Sequence, residues 1–194
     1  MKKIIQYFII GVLGVSFLTS CKKNAPTATS LTSVGENTNT GSVDAGTISR
    51  EIYVSGIPGK IHEVRVRIIG STSYTHELEV YLKSPSGEIL QLCARESDPA
   101  NNSLYPSFDV TFSDKSLTSV ANWKNSNSTN FYGTFKPRGS VTSGYYVTGT
   151  ITSFAGYKGG TPNGTWTLYF SDDGYFNAND AHFSSWELFL STDN

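Results

Sequence analysis

Hydrophobic and polar positions alternate along most of this chain, and the clearest alternation lies near its end. Trp166, Leu168 and Phe170, then Trp186, Leu188 and Leu190, recur at period two. That is the spacing of strands with one buried face. Asn163-Gly164 is turn chemistry feeding the first run, and a polar loop over residues 171–180 separates the two. A tryptophan near the start of each run supplies a large, rigid core side chain. The two runs are expected to be the closing pair of a sandwich.

The same period recurs upstream. Ile48, Ile52 and Val54 share alternate positions with Arg50, which is expected at a sheet edge, and Ser55-Gly56-Ile57-Pro58-Gly59 is a turn. Val64, Val66 and Ile68 alternate with Arg65 and Arg67; Leu78, Val80 and Leu82 alternate with Glu77, Glu79 and Tyr81. Leu90 with Leu92, then Phe108, Val110 and Phe112, add two more strands. A loop-rich stretch carrying Trp123 leads to Phe135-Lys136-Pro137, and strand-like residues resume at Tyr145, Val147 and Ile151. Short strands at regular intervals, with turns between them, predict an all-β protein with a jelly-roll-like β-sandwich.

The opening of the chain follows another pattern. Lys2 and Lys3 precede an apolar stretch from Ile4 to Leu18, of signal-peptide length and short for a membrane span. It ends in Leu18-Thr19-Ser20-Cys21, which resembles a bacterial lipobox. That resemblance implies cleavage before Cys21 and lipidation of its thiol and amine; an uncleaved anchor or an ordinary signal peptide is the alternative. Several acyl chains exceed the single-chain threshold for stable anchoring. Residues 22–46 are rich in Ser, Thr, Asn, Ala and Gly, a composition that buries little surface. The expected organisation is therefore a signal peptide over residues 1–20, a flexible tether over 21–46, and one folded domain over 47–194. The expected site is the cell envelope, with the outer membrane favoured by analogy with other tethered accessory domains.

Composition narrows the function. With 194 residues, a formal net charge of -1 and no basic stripe, the chain offers no electrostatic case for nucleic acid. Of its two cysteines, Cys21 is assigned to lipid, which leaves Cys93 as a buried strand thiol. No Cys/His spacing suggests zinc.

An ordered series of segments resembles the P domain (P/Homo B domain) that follows the catalytic domain of kexin- and furin-like subtilisin proteases. The segments are Val54-Ser55-Gly56, Ile61 to Val66, His76 to Gly87, Phe108-Asp109-Val110-Thr111-Phe112-Ser113-Asp114, Phe135-Lys136-Pro137, Phe154-Ala155-Gly156, Gly164-Thr165-Trp166-Thr167-Leu168 and Ser185-Trp186-Glu187-Leu188. The resemblance covers about residues 48–192 and implies a jelly-roll sandwich that supports a protease in cis or a partner in trans. The sequence departs from the family pattern at Glu77, at Ser113, at Ala178-Asn179-Asp180-Ala181, and in an apparent insertion over residues 138–150.

Such a neighbourhood makes serine protease chemistry the first activity to test. His62, His76 and His182 are the only histidine bases, no Gly-x-Ser-x-Gly element occurs, and nothing matches the subtilisin motifs. The expectation is a non-catalytic module that binds or stabilises an envelope protein. The resemblance implies a calcium site on Asp109, Asp114 and Asp172, to which the local oxygens of Asp173 and Asp180 would add. A second class of function is glycan binding through Tyr145 and Tyr146, with Trp123, Tyr157 and Tyr175 as further loop aromatics.

Overall fold

The structure, a computed structural model, describes residues 27–72, 77–94, 107–122, 130–141, 144, 146–172 and 181–193. Its strands are β1 (Thr32–Asn37), β2 (Gly41–Val43), β3 (Gly46–Val54), β4 (Lys60–Ser71), β5 (Leu78–Lys83), β6 (Ile89–Ala94), β7 (Ser107–Phe112), β8 (Asn130–Phe135), β9 (Gly164–Asp172) and β10 (Ala181–Asp193). Short 3-10 turns occupy Val120–Asn122 and Phe154–Tyr157. Sheet A runs β1-β10-β4-β7-β8, with β2 also paired to β10, and sheet B runs β3-β9-β5-β6. The all-β sandwich expected from the period-two pattern is what the chain forms.

The tryptophan strands do close the fold, but not as partners. β9 lies inside sheet B between β3 and β5, and β10 lies inside sheet A between β4 and the β1 and β2 strands. Each turns its large residues inward, where Trp166 and Trp186 have no exposed surface. The sheets meet through Phe170 and Phe183, rings 5.8 Å apart and edge to face, and through Phe108 and Phe170 at 6.0 Å. Such aromatic pairs stabilise beyond their buried area. Tyr157 packs edge to face on Trp166 at 5.3 Å, and the Trp166 indole N–H donates to Pro162 O at 3.0 Å.

Among the named strands one pairing is parallel: β7 and β8 run alongside from Ser107↔Asn130 to Phe112↔Phe135. Parallel neighbours need a long crossover, and residues 113–129 provide it. Asparagines obscured β8 in the sequence, where only Phe135 stood out. Conversely, Val147 and Ile151 form no strand; Ile151 makes a single bridge to Leu90.

The expected tether must be corrected. Residues 28–43 belong to the sandwich: β1 and β2 both pair antiparallel with β10, and Thr29 exchanges hydrogen bonds with Thr192. These strands bury few side chains, Val43 among them. They are held mainly by backbone pairing to β10, which Ser, Thr and Gly satisfy as well as apolar residues do. The segment also crosses to the other sheet. Asn37 Nδ2 donates to Glu51 O at 2.7 Å, and Arg50 Nε and Nη2 donate to Asn39 O and Thr40 O at 2.8 and 2.9 Å. Gly35 lies so close to Ile52 that an added Cβ would overlap its side chain. The edge strand β3, where Arg50 was expected, is thereby tied to the edge of sheet A.

Candidate functional site

The two described histidines, His62 and His182, have different polar neighbours. His62 Nδ1 is 2.9 Å from Asp193 Oδ1, an ion-pair distance without hydrogen-bond alignment. His182 Nδ1 is 2.6 Å from Ser42 Oγ on the exposed surface. A serine protease needs the base held by a carboxylate on its other nitrogen and donors at an oxyanion position; no such carboxylate stands against His182 among the described residues. His76 lies outside them.

The expected metal ligands are dispersed in their roles. Asp109 projects from the outer face of β7 and accepts from Arg67 at both oxygens, with Nε to Oδ1 and Nη2 to Oδ2 each 2.7 Å. The guanidinium holds the Asp109 carboxyl below its ordinary range, chiefly by these hydrogen bonds, and Arg67 is raised in return. Asp114 accepts from the backbone N–H groups of Phe154 and Ala155 at 3.1 and 2.9 Å. It therefore caps the 3-10 turn Phe154–Tyr157 from a distant loop, a charge-assisted contact of the N-cap kind. Asp172 ends β9, buried, opposite Gly46 and Leu78. Asp173 and Asp180 lie outside the described residues, as does Cys21. Among the described residues no three His, Cys, Asp or Glu side chains gather into a group fit to hold a metal.

Of the aromatic candidates, Tyr157 is buried and donates to Leu82 O at 2.5 Å, so it is a core residue and not a sugar platform. Tyr146 is 46% exposed. Tyr145, Trp123 and Tyr175 lie outside the described residues.

The two outer faces of the sandwich differ, and this contrast organises the surface. On sheet B, Glu79 and Tyr81, the residues that alternate with the apolar positions of β5, are buried at 4% and 0% exposure, and Gln91 of β6 at 3%. The cover comes from described residues of the insertion. Arg138 N and Gly139 N donate to Leu92 O and Gln91 O, and Thr150 N and Ile151 N donate to Ile89 O. The strap so formed occupies the edge of β6 and lies over the β5–β6 face. Beneath it Gln91 Nε2 donates to Tyr81 Oη at 2.7 Å, and that hydroxyl donates to Glu79 Oε2 at 3.3 Å. Desolvation first, then the Glu79 charge, push the Tyr81 phenol well above its usual range. Gly144 rests directly on Tyr81 Oη and Glu79 Oε2, where a Cβ would overlap both.

Among the described residues, no such cover lies over the centre of sheet A. Arg65, Arg67 and Ile69 of β4, Asp109 and Thr111 of β7, and Glu187 and Phe189 of β10 are half-buried there, and Tyr132 of β8 is 55% exposed. Register places Glu187 beside Arg67, Phe189 beside Arg65, and Ile69, Asp109 and Tyr132 in one row. At the corner of β4, β7 and β8 this face dips into an open cleft of ≈ 470 Å³. A smaller cavity of ≈ 210 Å³ lies between β4 and the Phe154–Tyr157 turn, bordered by His62, Asp114, Lys115 and Lys158. Its carboxylates are already engaged: Glu63 with Lys115 and Asp114 with the turn.

No family model matches the chain, and no curated protein matches it. Among solved structures it is similar to the serine protease of Aeromonas sobria, at 14% identity and a TM-score of 0.45, over 87% of this chain and 28% of that one. It is also similar to the complex of the Aeromonas sobria serine protease (ASP) with the chaperone (ORF2), at 14% identity and a TM-score of 0.44, over 86% and 28%. The chain thus spans little more than a quarter of the length of the chains it resembles.

Proposed function

We propose that this chain is a non-catalytic, P-domain-like binding module that presents the outer face of sheet A to a protein of the cell envelope. The observation that supports it is the contrast of faces. The β5–β6 face is sealed by a strap that buries Glu79 and Tyr81, whereas the sheet A face keeps arginines, carboxylates, Ile69, Phe189 and Tyr132 within reach of a partner. Mixed apolar and charged surface with Arg and aromatic anchors is the composition of protein interfaces. The ordered P-domain segments and the lack of a triad among the described residues favour an accessory role over catalysis.

The proposal includes lipid attachment at Cys21 and residence at the outer membrane, which rest on the lipobox-like Leu18-Thr19-Ser20-Cys21. It includes calcium at Asp172, with Asp173 and Asp180 adding oxygens as expected from the sequence; Asp109 and Asp114 have protein partners in Arg67 and the 3-10 turn. Affinity capture from envelope extract tests the central claim. Arg65→Glu combined with Phe189→Ala should abolish capture of a specific protein, while Tyr53→Ala, on the outer face of sheet B, should leave it intact. Equal capture by both variants would remove the sheet A face from consideration. Cys21→Ala should release the protein from membranes or leave it unprocessed, and unchanged fractionation would refute the anchor.

A further inference from the structure

The cleft at the β4–β7–β8 corner has a chemistry of its own. Its described walls are Ile69, Gly70, Ser107, Phe108, Asp109 and Tyr132. Tyr132 stands on β8 directly beside Asp109 on β7, so ring and carboxylate project side by side from one sheet face at the spacing of neighbouring strands, ~4.8 Å. Tyr132 is 55% exposed, and its hydroxyl lies 3.0 Å from Ser107 Oγ. That contact orients the ring before any ligand arrives, and preorganisation of this kind reduces the cost of binding.

The polar side of the cleft is the carboxylate of Asp109, which Arg67 neutralises from beside the cleft. Arg67 engages both oxygens of Asp109 through Nε and Nη2. A carboxylate has about four acceptor positions and a guanidinium five donors, so each group keeps hydrogen-bonding capacity beyond the pair. Their side chains are 39% and 41% exposed. A planar acceptor fixed against a planar donor suits two adjacent hydroxyls, one donating to the carboxylate and its neighbour accepting from the guanidinium. The opposite charges cancel, which leaves no unpaired charge to select an acidic or basic ligand.

We propose that this cleft binds a neutral hexopyranose unit of a glycan, with Tyr132 stacked on the apolar C–H face of the ring and the Asp109–Arg67 pair reading adjacent hydroxyls. The volume, ≈ 470 Å³, falls within the range of small-ligand pockets. Its open mouth admits a sugar that continues into a longer chain. The site shares a sheet face with the function proposed above but requires no protein partner, and it is separate from Tyr146 on the strap. Because Arg67 keeps Asp109 ionised, affinity is expected to stay flat across neutral pH.

Saturation-transfer NMR on the full-length chain, in a detergent without a sugar headgroup, tests this with methyl glycosides of glucose, galactose, mannose and N-acetylglucosamine. At least one glycoside should receive saturation, strongest on the C–H protons of a single ring face. Tyr132→Ala should weaken that binding by roughly two- to tenfold, the scale of one aromatic contact. Tyr132→Phe should keep the stacking pattern, Asp109→Asn should weaken hydroxyl recognition, and Tyr53→Ala should change nothing. Near-UV circular dichroism of Tyr132→Ala should retain the wild-type tryptophan bands, since Tyr132 is exposed. Absence of transfer to all four glycosides would overturn the assignment, as would equal transfer in wild type and Tyr132→Ala. Capture of an envelope protein lost in Tyr132→Ala, with no glycoside bound, would overturn it in favour of a protein ligand.

Discussion

At the scale of single residues, the fold rests on side chains that finish the work of the backbone. Asn163, first marked only as turn chemistry, accepts from Ile57 N at 3.0 Å and donates to Ile57 O at 2.7 Å. Its amide joins the β3–β4 turn to the start of β9 as a strand neighbour would. Asn163→Ala leaves both Ile57 groups without this partner and should lower stability by about 1–3 kcal/mol, read from chemical denaturation. Asp109 behaves differently. Its folded pKa is depressed by Arg67, so its contribution is present above the unfolded pKa and disappears as pH falls through the folded value. With both side chains about two-fifths exposed, solvent limits that contribution to about 1 kcal/mol or less. Asp109→Asn should thus differ slightly from wild type at neutral pH and converge with it below the ordinary carboxylate range, in melts taken across pH.

At the scale of elements, the strongest prediction concerns the N-terminal strands. A chain starting at Thr47 lacks β1 and β2 and leaves one edge of the long strand β10 bare from Thr32↔Leu190 to Ala181↔Val43. It should unfold at lower denaturant than a chain starting at Thr27, or aggregate through the exposed edge. The strap makes a second case. Gly144→Ala forces a methyl onto Tyr81 Oη and Glu79 Oε2 and should destabilise by about 1–3 kcal/mol, with a blue-shifted tyrosine spectrum as β5 meets water. These two elements are also where the sequence was least legible. Strands with their own apolar face, such as β4 and β7, announce themselves by period two. β1 and β2 carry little apolar surface and exist because β10 has backbone groups to pair, a fact written elsewhere in the chain. Glu79 and Tyr81 likewise looked solvent-facing because alternation reports which side of β5 faces the core, not what lies over the other side.

At the scale of the whole molecule, the site was legible in chemistry but not in place. Asp109 was singled out for calcium, and the structure gives it to Arg67; Tyr132, the exposed neighbour that makes the cleft, sits in an asparagine-rich stretch with no alternation to draw attention to it. Calcium itself has a direct global readout. If a site exists near Asp172, a hundredfold excess of calcium over Kd should raise folding stability by about 2.7 kcal/mol. Asp172→Asn should remove that gain while Asp109→Asn retains it. Identical melting temperatures in chelator and in millimolar calcium would exclude the metal.

The placement of β9 and β10 at the hearts of opposite sheets has a consequence in time. A chain made or threaded from its N-terminus releases these strands after the other described strands, yet the hydrogen bond between Thr29 and Thr192 spans 163 residues, and that between Thr47 and Ser171 spans 124. Until the final strand emerges, β1 and β4 have no common neighbour and sheet A cannot be completed. Loop closure on this scale is slow, because entropy is lost before non-local contacts form. The nascent polymer should therefore reach full protease resistance only in a late step, when Trp186 reaches the core.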